Sequence, residues 1–578
     1  AYDANLGTPN PVEQALGGDN SSDVNRFIGN AKIDYVLPFL PELTATLNLA
    51  TDYAKGKGVN NRPATSPSTL TTPFVGKLNS YNSIVKNNLL DFYLTYLKDF
   101  NDNHSINVVG GYSWQHFERE GDSYTEGLIT DKEDPAYVIP IDNSYINENY
   151  LVSFFGRANY TFKSRYLLTG TVRYDGSSRF TNNPWGLFPS AAFAWKMHEE
   201  AFLEGADFLS ELKLRLGWGV TGQQDIGDSY YPAQALYQSS LAGSYAYING
   251  KWIPTLRPNA YDPDIKWEST TTQNIAIDFG FMNNRLRGTV DLYKRVTEDA
   301  LNRVTIPSGS NFSNQLITNV ASLENKGVEL SLDWVALSTP DMSLNIGTNF
   351  TYNENKITKL LLSDDPEYLG ILYGDAMTGT KQVTRVGYPH QSFFLHKQAY
   401  YSNGMPVEGM YEDISGEGGN VAGSNANRHI YKNPAPDYVI GFSFRFNYKK
   451  FDLSAATRAN IGNYVYNQVA AGASYDQMQQ IGYWKNMPKL LDDTQFVKRQ
   501  FSSDYFVENA SFFRIDNISA GYNFKAFSDK LDLRVNFTVQ NALVVTKYSG
   551  LDPEVDGGID NNFYPRPRTF TLGLNMNF

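Results

Sequence analysis

The sequence predicts an all-β chain, the wall of a transmembrane antiparallel β-barrel, running as one unit over residues 1–578. Three observations predict it. Apolar and polar residues alternate with period two along the whole length, the mark of strands with one face in apolar surroundings. Short connections alternate with long ones, as periplasmic turns alternate with extracellular loops in such barrels. The chain also ends on an alternating strand, with Phe570, Leu572, Leu574, Met576 and Phe578 on one parity and Thr569, Thr571, Gly573, Asn575 and Asn577 on the other. Bacterial outer-membrane barrels typically end in this way, so Phe578 is the expected insertion signal, read by the assembly machinery.

In chain order, alternating stretches lie near 27–36, 43–53, 88–98, 105–116, 151–162, 166–174, 187–195, 212–220, 273–281, 286–294, 327–334 and 342–352. Further stretches follow at 440–449, 451–461, 512–524, 531–540 and the carboxy-terminal strand, about 17 in all by this template. Tight connections fall at 37–42, 163–165, 282–285 and 449–450, and long ones at 54–85, 117–149, 222–267, 295–324, 354–435, 462–509 and 541–566. One connection on the tight side is longer, and 196–213 is expected to hold a short helix. Arg157, Arg173, Asp291, Glu329, Asp333, Arg445 and Arg458 fall on the polar parity. Mid-strand charges are costly against lipid, so a lumen is their expected surrounding. The alternative is the solvated face of a soluble sheet.

Composition agrees. There are 39 Tyr, 35 Phe and 8 Trp in 578 residues, yet the mean hydropathy is below zero. Many rings in a polar chain fit strands with aromatic belts. The absence of Cys excludes disulfides, thiolate metal sites and thiol catalysis. A net charge of −12 argues against nucleic acid, which needs a basic footprint. No apolar run reaches the roughly 18 residues of a spanning helix, and the first ten residues do not read as a signal peptide.

Chemistry motifs are sparse, and no cofactor is expected. No His pair has helical metal-ligand spacing. Asp413, Ser415 and Glu417 in EDISGEGGN echo a calcium loop, but two ligand positions and the turn glycine do not match, so a solvated loop is the competing reading and no metal is assigned. Asp552 and Glu554 in LDPEVDGG invite comparison with a glycosidase pair. No nucleophile triad, phosphate loop or zinc helix accompanies them, and the chain reads as no enzyme. The loop aromatics Tyr230, Tyr231, Tyr237, Tyr245, Tyr247 and Trp252, beside Gln234, Gln238 and Asn249, are the candidate substrate-binding residues. Rings next to amides suit a sugar face or a peptide, and equally suit packing of the loop against its neighbours.

Longer motifs carry a family resemblance across nearly the whole chain. They include FFGRANYTFKSRYLLTGTVRYDGSSRF (154–180), LKLRLGWGVTGQQDIG (212–227), LENKGVELSLDW (323–334), NPAPDYVIGFSFRFNYKKFDLS (433–454), ENASFFRIDNISAGYNF (508–524) and TKYSGLDPEVDGGIDNNFYPRPRTFTLGL (546–574). In this order and spacing the chain resembles the SusC/RagA branch of TonB-dependent outer-membrane transporters of Bacteroidetes. The DPE segment matches a recurring loop of that family. The resemblance implies a barrel of about 22 strands, of which this chain supplies about 17. No plug or TonB-contacting segment is visible, so the expectation is a carboxy-terminal barrel portion, with the rest on a preceding segment or another chain. An open sheet would leave backbone groups unpaired in lipid. The implied function is TonB-dependent import of a large nutrient, a glycan or an oligopeptide, in the bacterial outer membrane with a SusD-like lipoprotein partner. The alternative is a surface glycan-binding or adhesin protein without transport.

Overall fold

The computed structural model describes residues 12, 16–63, 76–101, 103–128, 141–225, 230–239, 245–306, 309, 311–313, 315–361, 368–375, 378–414, 416, 418–422, 427–478, 488–526, 531–561 and 563–577. Phe578, Ser415 and Glu417 lie outside them, as do the side chains of Trp252 and Asn577.

Seventeen strands form one sheet. They are β1 (Asp19–Leu37), β2 (Leu40–Arg62), β3 (Lys77–Asn101), β4 (His104–Glu126), β5 (Ile141–Phe162) and β6 (Tyr166–Ser177). Then come β7 (Trp185–Lys196), β8 (Leu209–Gln223), β9 (Glu268–Phe281), β10 (Leu286–Thr305), β11 (Gln315–Ser338) and β12 (Met342–Lys359). The last five are β13 (Tyr438–Tyr448), β14 (Phe451–Ile461), β15 (Phe512–Ala526), β16 (Leu531–Thr546) and β17 (Thr569–Asn577). Each pairs antiparallel with the next, an up-and-down meander from β1 to β17. All seventeen alternating stretches of the sequence fall on these strands. Several strands run well past the alternation at their long-loop ends. β2 reaches Arg62 and β4 reaches Glu126, because backbone pairing continues where both faces have become polar.

Register separates the two faces. In β3 and β4, Asp91 accepts from Ser113 Oγ at 2.6 Å and from Asn48 Nδ2 at 3.2 Å on one face, while Phe92 and Leu94 stand exposed on the other. In β16 and β17, Val539, Phe537 and Val535 lie opposite Phe570, Leu572 and Leu574, and Thr538 and Asn536 lie opposite Thr571 and Gly573. The polar face carries the strand charges. Arg215 donates to Asp278 at 2.9 Å and Asp291 at 3.5 Å, and Arg173 donates to Asp175 at 2.7 Å. A charge costs little there because its counter-charge stands on the same face.

Aromatics gather at two heights on the apolar face. Phe162, Tyr166 and Trp195 stack in sequence at 6.0 and 6.2 Å near the tight turns. Tyr112 with Phe154, Trp114 with Tyr150, and Tyr174 with Trp185 pair at 5.3, 6.1 and 4.8 Å nearer the long loops. Along β5 the two heights are eight to twelve residues apart, or roughly 26–40 Å of strand. A tilt of about 40° brings that to roughly 20–30 Å, the height of a lipid-facing band between its girdles.

The tight turns use left-handed backbone at Lys163 (φ 50°), Ser164 (φ 55°), Asn283 (φ 57°) and Asn284 (φ 60°). Asn tolerates that region better than most residues. The longer connection contains two short 3₁₀ turns, Met197–Glu199 and Ala201–Leu203, instead of an α-helix. Glu200 between them accepts from Tyr166 Oη at 2.5 Å, Trp195 Nε1 at 3.0 Å and Arg165 Nη1 at 3.2 Å, tying the turn to the lower girdle.

Apart from a cluster around Phe188 of β7 and Trp267, the compact apolar core lies in the loops. Phe393, Leu395, Tyr466, Ala471, Phe496 and Phe506 form it, drawn from the connections that follow β12 and β14. The segment 464–467 pairs antiparallel with 507–509 of the same connection and parallel with 559–560 of the connection before β17, and with Phe393 and Leu395 from the connection after β12 three loops form one folded unit at the mouth.

Candidate functional site

The loop unit and the upper wall enclose a cavity of about 1200 Å³. Amides dominate its wall side: Asn325, Asn353 and Asn355 from β11 and β12, and Asn460 from β14. Asn355 Nδ2 donates to Asn325 Oδ1 at 2.9 Å, and Asn355 Oδ1 accepts from the His390 backbone N–H at 2.9 Å. Period two places these side chains on the lumenal parity, so the wall supplies them at fixed spacing. On the loop side Asn463 is buried, with Nδ2 donating to Ala510 O at 3.0 Å, while its Oδ1 has no partner among the described residues. A buried acceptor left unpaired is costly. Tyr564 stands exposed at the rim.

Lys381 lines the same cavity yet is fully buried. Its ammonium donates to Thr378 O and to Gly379 O at 3.1 Å, and lies 5.7 and 5.8 Å from the rings of Tyr466 and Phe501. Burial pulls its pKa down to about 8, with Asp375 opposing and Arg428 adding to the fall. An ordinary lysine titrates at 10.5, so between about 8 and 10.5 the unfolded loops bind the extra proton and folding is favoured as pH rises. We expect the wild-type loop unit to gain protection from hydrogen exchange across that window relative to Lys381→Met. Equal pH profiles for the two proteins would contradict the lowered pKa of the buried Lys381.

Asp552 and Glu554 of the LDPEVDGG segment are ion-pair partners. Asp552 is buried and accepts from Arg514 Nη2 at 2.5 Å. Glu554 accepts from Arg458 Nη2 at 2.8 Å and also pairs with Arg566. Burial opposes the charge on Glu554, but Arg458, with Arg566 and Arg514 behind it, outweighs burial and holds its carboxyl below the ordinary range. Neither carboxylate is placed to exchange protons with a glycosidic oxygen. Both fasten the last long loop to β14 and β15.

The candidate aromatics do not form one cluster. Tyr231 Oη accepts from the Glu148 backbone N–H at 3.0 Å, and the Tyr230 ring lies 5.5 Å from the Arg179 guanidinium, so both rings hold the loop against its neighbours. Tyr237, Tyr245 and Tyr247 are 68%, 52% and 63% exposed. Tyr237 begins the short strand Tyr237–Ser239 paired with Leu256–Pro258; the other two lie on Tyr245–Ile248, paired with Lys251–Pro254 and placing Tyr247 opposite Trp252. Asp413 accepts from the Gly418 backbone N–H at 3.1 Å, and Glu417 lies outside the described residues. Among the described residues, His116, Glu118 and Glu148 bring potential metal ligands together on the outer face. Lys86 Nζ lies 2.6 Å from Glu118, and His116 Nε2 lies 3.1 Å from Glu148, so both carboxylates already have partners.

An up-and-down antiparallel wall with two aromatic heights and a folded loop unit at one end is the architecture of an outer-membrane barrel. The family model for the TonB-dependent receptor-like β-barrel matches residues 2–542, and the chain belongs to that family. It is 38% identical to the TonB-dependent receptor SusC of Bacteroides thetaiotaomicron over 595 aligned residues, covering 100% of this chain and 58% of that protein. It is 32% identical to the TonB-dependent receptor P3 of Formosa agariphila, covering 85% and 52%. The structure of the RagAB peptide transporter matches with a TM-score of 0.82 and 26% identity, over 97% of this chain and 63% of that one. The chain thus spans about half to three-fifths of the curated relatives it matches. These relatives are receptors and transporters by name, in agreement with the non-enzymatic reading.

Proposed function

We propose that this chain forms the carboxy-terminal part of the barrel of a TonB-dependent importer in the bacterial outer membrane. The cargo is a large nutrient, a glycan or an oligopeptide. The observation that carries this reading is the amide-lined cavity at the mouth of a wall belonging to the TonB-dependent receptor family. Amides spaced along the cavity wall suit hydroxyl-rich or amide-rich cargo, and clamped carboxylates suit holding it without chemistry. Resemblance to SusC and to RagAB supports a SusD-like surface lipoprotein as the partner that closes over the loops. Closure would shield cargo from water and slow its escape before energised release. Energy comes from outside, through TonB acting on a segment beyond this chain, since the sequence contains no nucleotide-binding loop.

The test is uptake of the cognate nutrient by cells carrying the whole transporter. Removing TonB is expected to abolish uptake and growth on that nutrient. Changing Tyr237, Tyr245 and Tyr247 together to Ala is expected to weaken uptake at limiting nutrient. Uptake that persists without TonB would sink the importer reading. Uptake untouched by the three changes would remove only those rings from the site.

A further inference from the structure

A second, smaller cavity of about 470 Å³ lies between the loop after β8 and the loop ends of β10 and β11. Its lining includes Tyr231, Gln234, Gln238, Arg257, Arg303 and Gln315. Among the described residues, the lining holds two guanidiniums and no carboxylate. With the Gln238 amide turned so that its oxygen faces Arg257, that oxygen accepts from Nε at 2.9 Å and from Nη2 at 3.0 Å. Arg303 Nη1 donates to Gln315 Oε1 at 3.4 Å. Each guanidinium therefore rests on a neutral amide oxygen, the shape of a carboxylate without its charge. Of the wall arginines, Arg173, Arg215 and Arg458 face carboxylates, whereas Arg157 donates to Asn159 Oδ1 at 3.2 Å. What sets this cavity apart is that two positive charges converge on it among neutral polar side chains, in a chain of net charge −12.

We propose that this cavity is an anion site that takes a carboxylate carried on the imported nutrient; the proposal rests on the importer reading and specifies its cargo. The planar fork of arginine matches a carboxylate with two parallel hydrogen bonds, stronger than those to a neutral oxygen. An entering carboxylate displaces the amide oxygens of Gln238 and Gln315, and their freed amides remain as further hydrogen-bonding groups. The Tyr231 ring forms part of the same wall. The volume suits one sugar or one residue rather than a whole chain, so the cavity reads an end or a branch while the larger cavity holds the body. A uronic acid and a peptide carboxy-terminus present the same group.

The test uses the intact outer-membrane complex in detergent and isothermal titration with four probes: a hexuronic acid trimer, the matched neutral hexose trimer, tri-alanine and tri-alanine amide. One acidic probe is expected to bind at least about ten-fold tighter than its uncharged counterpart, since charge-assisted bonds are about twice as strong as neutral ones. Which acid shows the preference identifies its source. Arg257→Gln and Arg303→Gln are each expected to remove the preference, and Arg257→Lys to retain part of it, with outer-membrane levels confirming that each variant folds. Equal binding of charged and neutral probes, binding of none, or a preference that survives both glutamine variants overturns the site. Uptake that needs TonB but ignores both variants would remove this site and leave the importer reading standing. Uptake that ignores TonB would remove the importer reading instead.

Discussion

Replacing Leu572 with Arg is expected to empty the outer membrane of this protein, while Thr571→Arg leaves most of it in place. Leu572 is 76% exposed on the apolar parity of β17, opposite Phe537. An arginine near the middle of a lipid-facing strand costs about 2–4 kcal/mol. Thr571 lies one residue away on the other parity, opposite Thr538, where a charge meets water or a counter-charge. Outer-membrane levels by surface labelling, together with urea midpoints after refolding into vesicles, measure the difference. Equal levels for the two variants would contradict the assignment of faces in β17.

The second large effect is expected at the mouth. Asp552→Ala strands the Arg514 guanidinium, whose side chain is almost wholly buried and whose one close carboxylate is Asp552 at 2.5 Å, with Glu554 at 3.8 Å. Removing one partner of a buried pair costs about 3–5 kcal/mol. The loss should fall on the last long loop and the loop unit that it staples, leaving the wall intact. Limited proteolysis should therefore cut within 547–566 in the variant and not in the wild type. The paired change Asp552→Leu with Arg514→Met should recover much of the resistance, because the desolvated charge then goes with its partner. Cleavage that is the same in wild type and Asp552→Ala would refute the anchoring role.

The wall was legible because lipid imposes period two on every strand that crosses it. All seventeen strands could be located from that pattern. Their lengths could not. In β3, Leu90, Phe92 and Leu94 alternate with polar neighbours, but from Lys86 back to Lys77 both parities are mostly polar and only backbone pairing defines the strand. The loop unit was illegible for a different reason. Phe393, Tyr466 and Phe506 meet across more than a hundred residues, and no local period links them. Tyr230 and Tyr231 show the limit of composition as a guide. As ring-and-hydroxyl side chains they look like ligand contacts, yet one packs on Arg179 and the other accepts from the Glu148 backbone. Arg257 and Arg303 lack any sequence signal that they meet, since the strands that bring them together are set by the register of β10 on β11 and by the short pairing of 256–258 with 237–239.

The overlong strands raise the mouth of the wall far above the lipid. β3 has 25 residues, about 80 Å of chain, and at a tilt of about 40° it rises roughly 60 Å, more than twice the band that lipid requires. The surplus stands outside the bilayer as a chimney. Its rim stands well above the lipid-facing band, so the loop unit and its cavity are held apart from the bilayer.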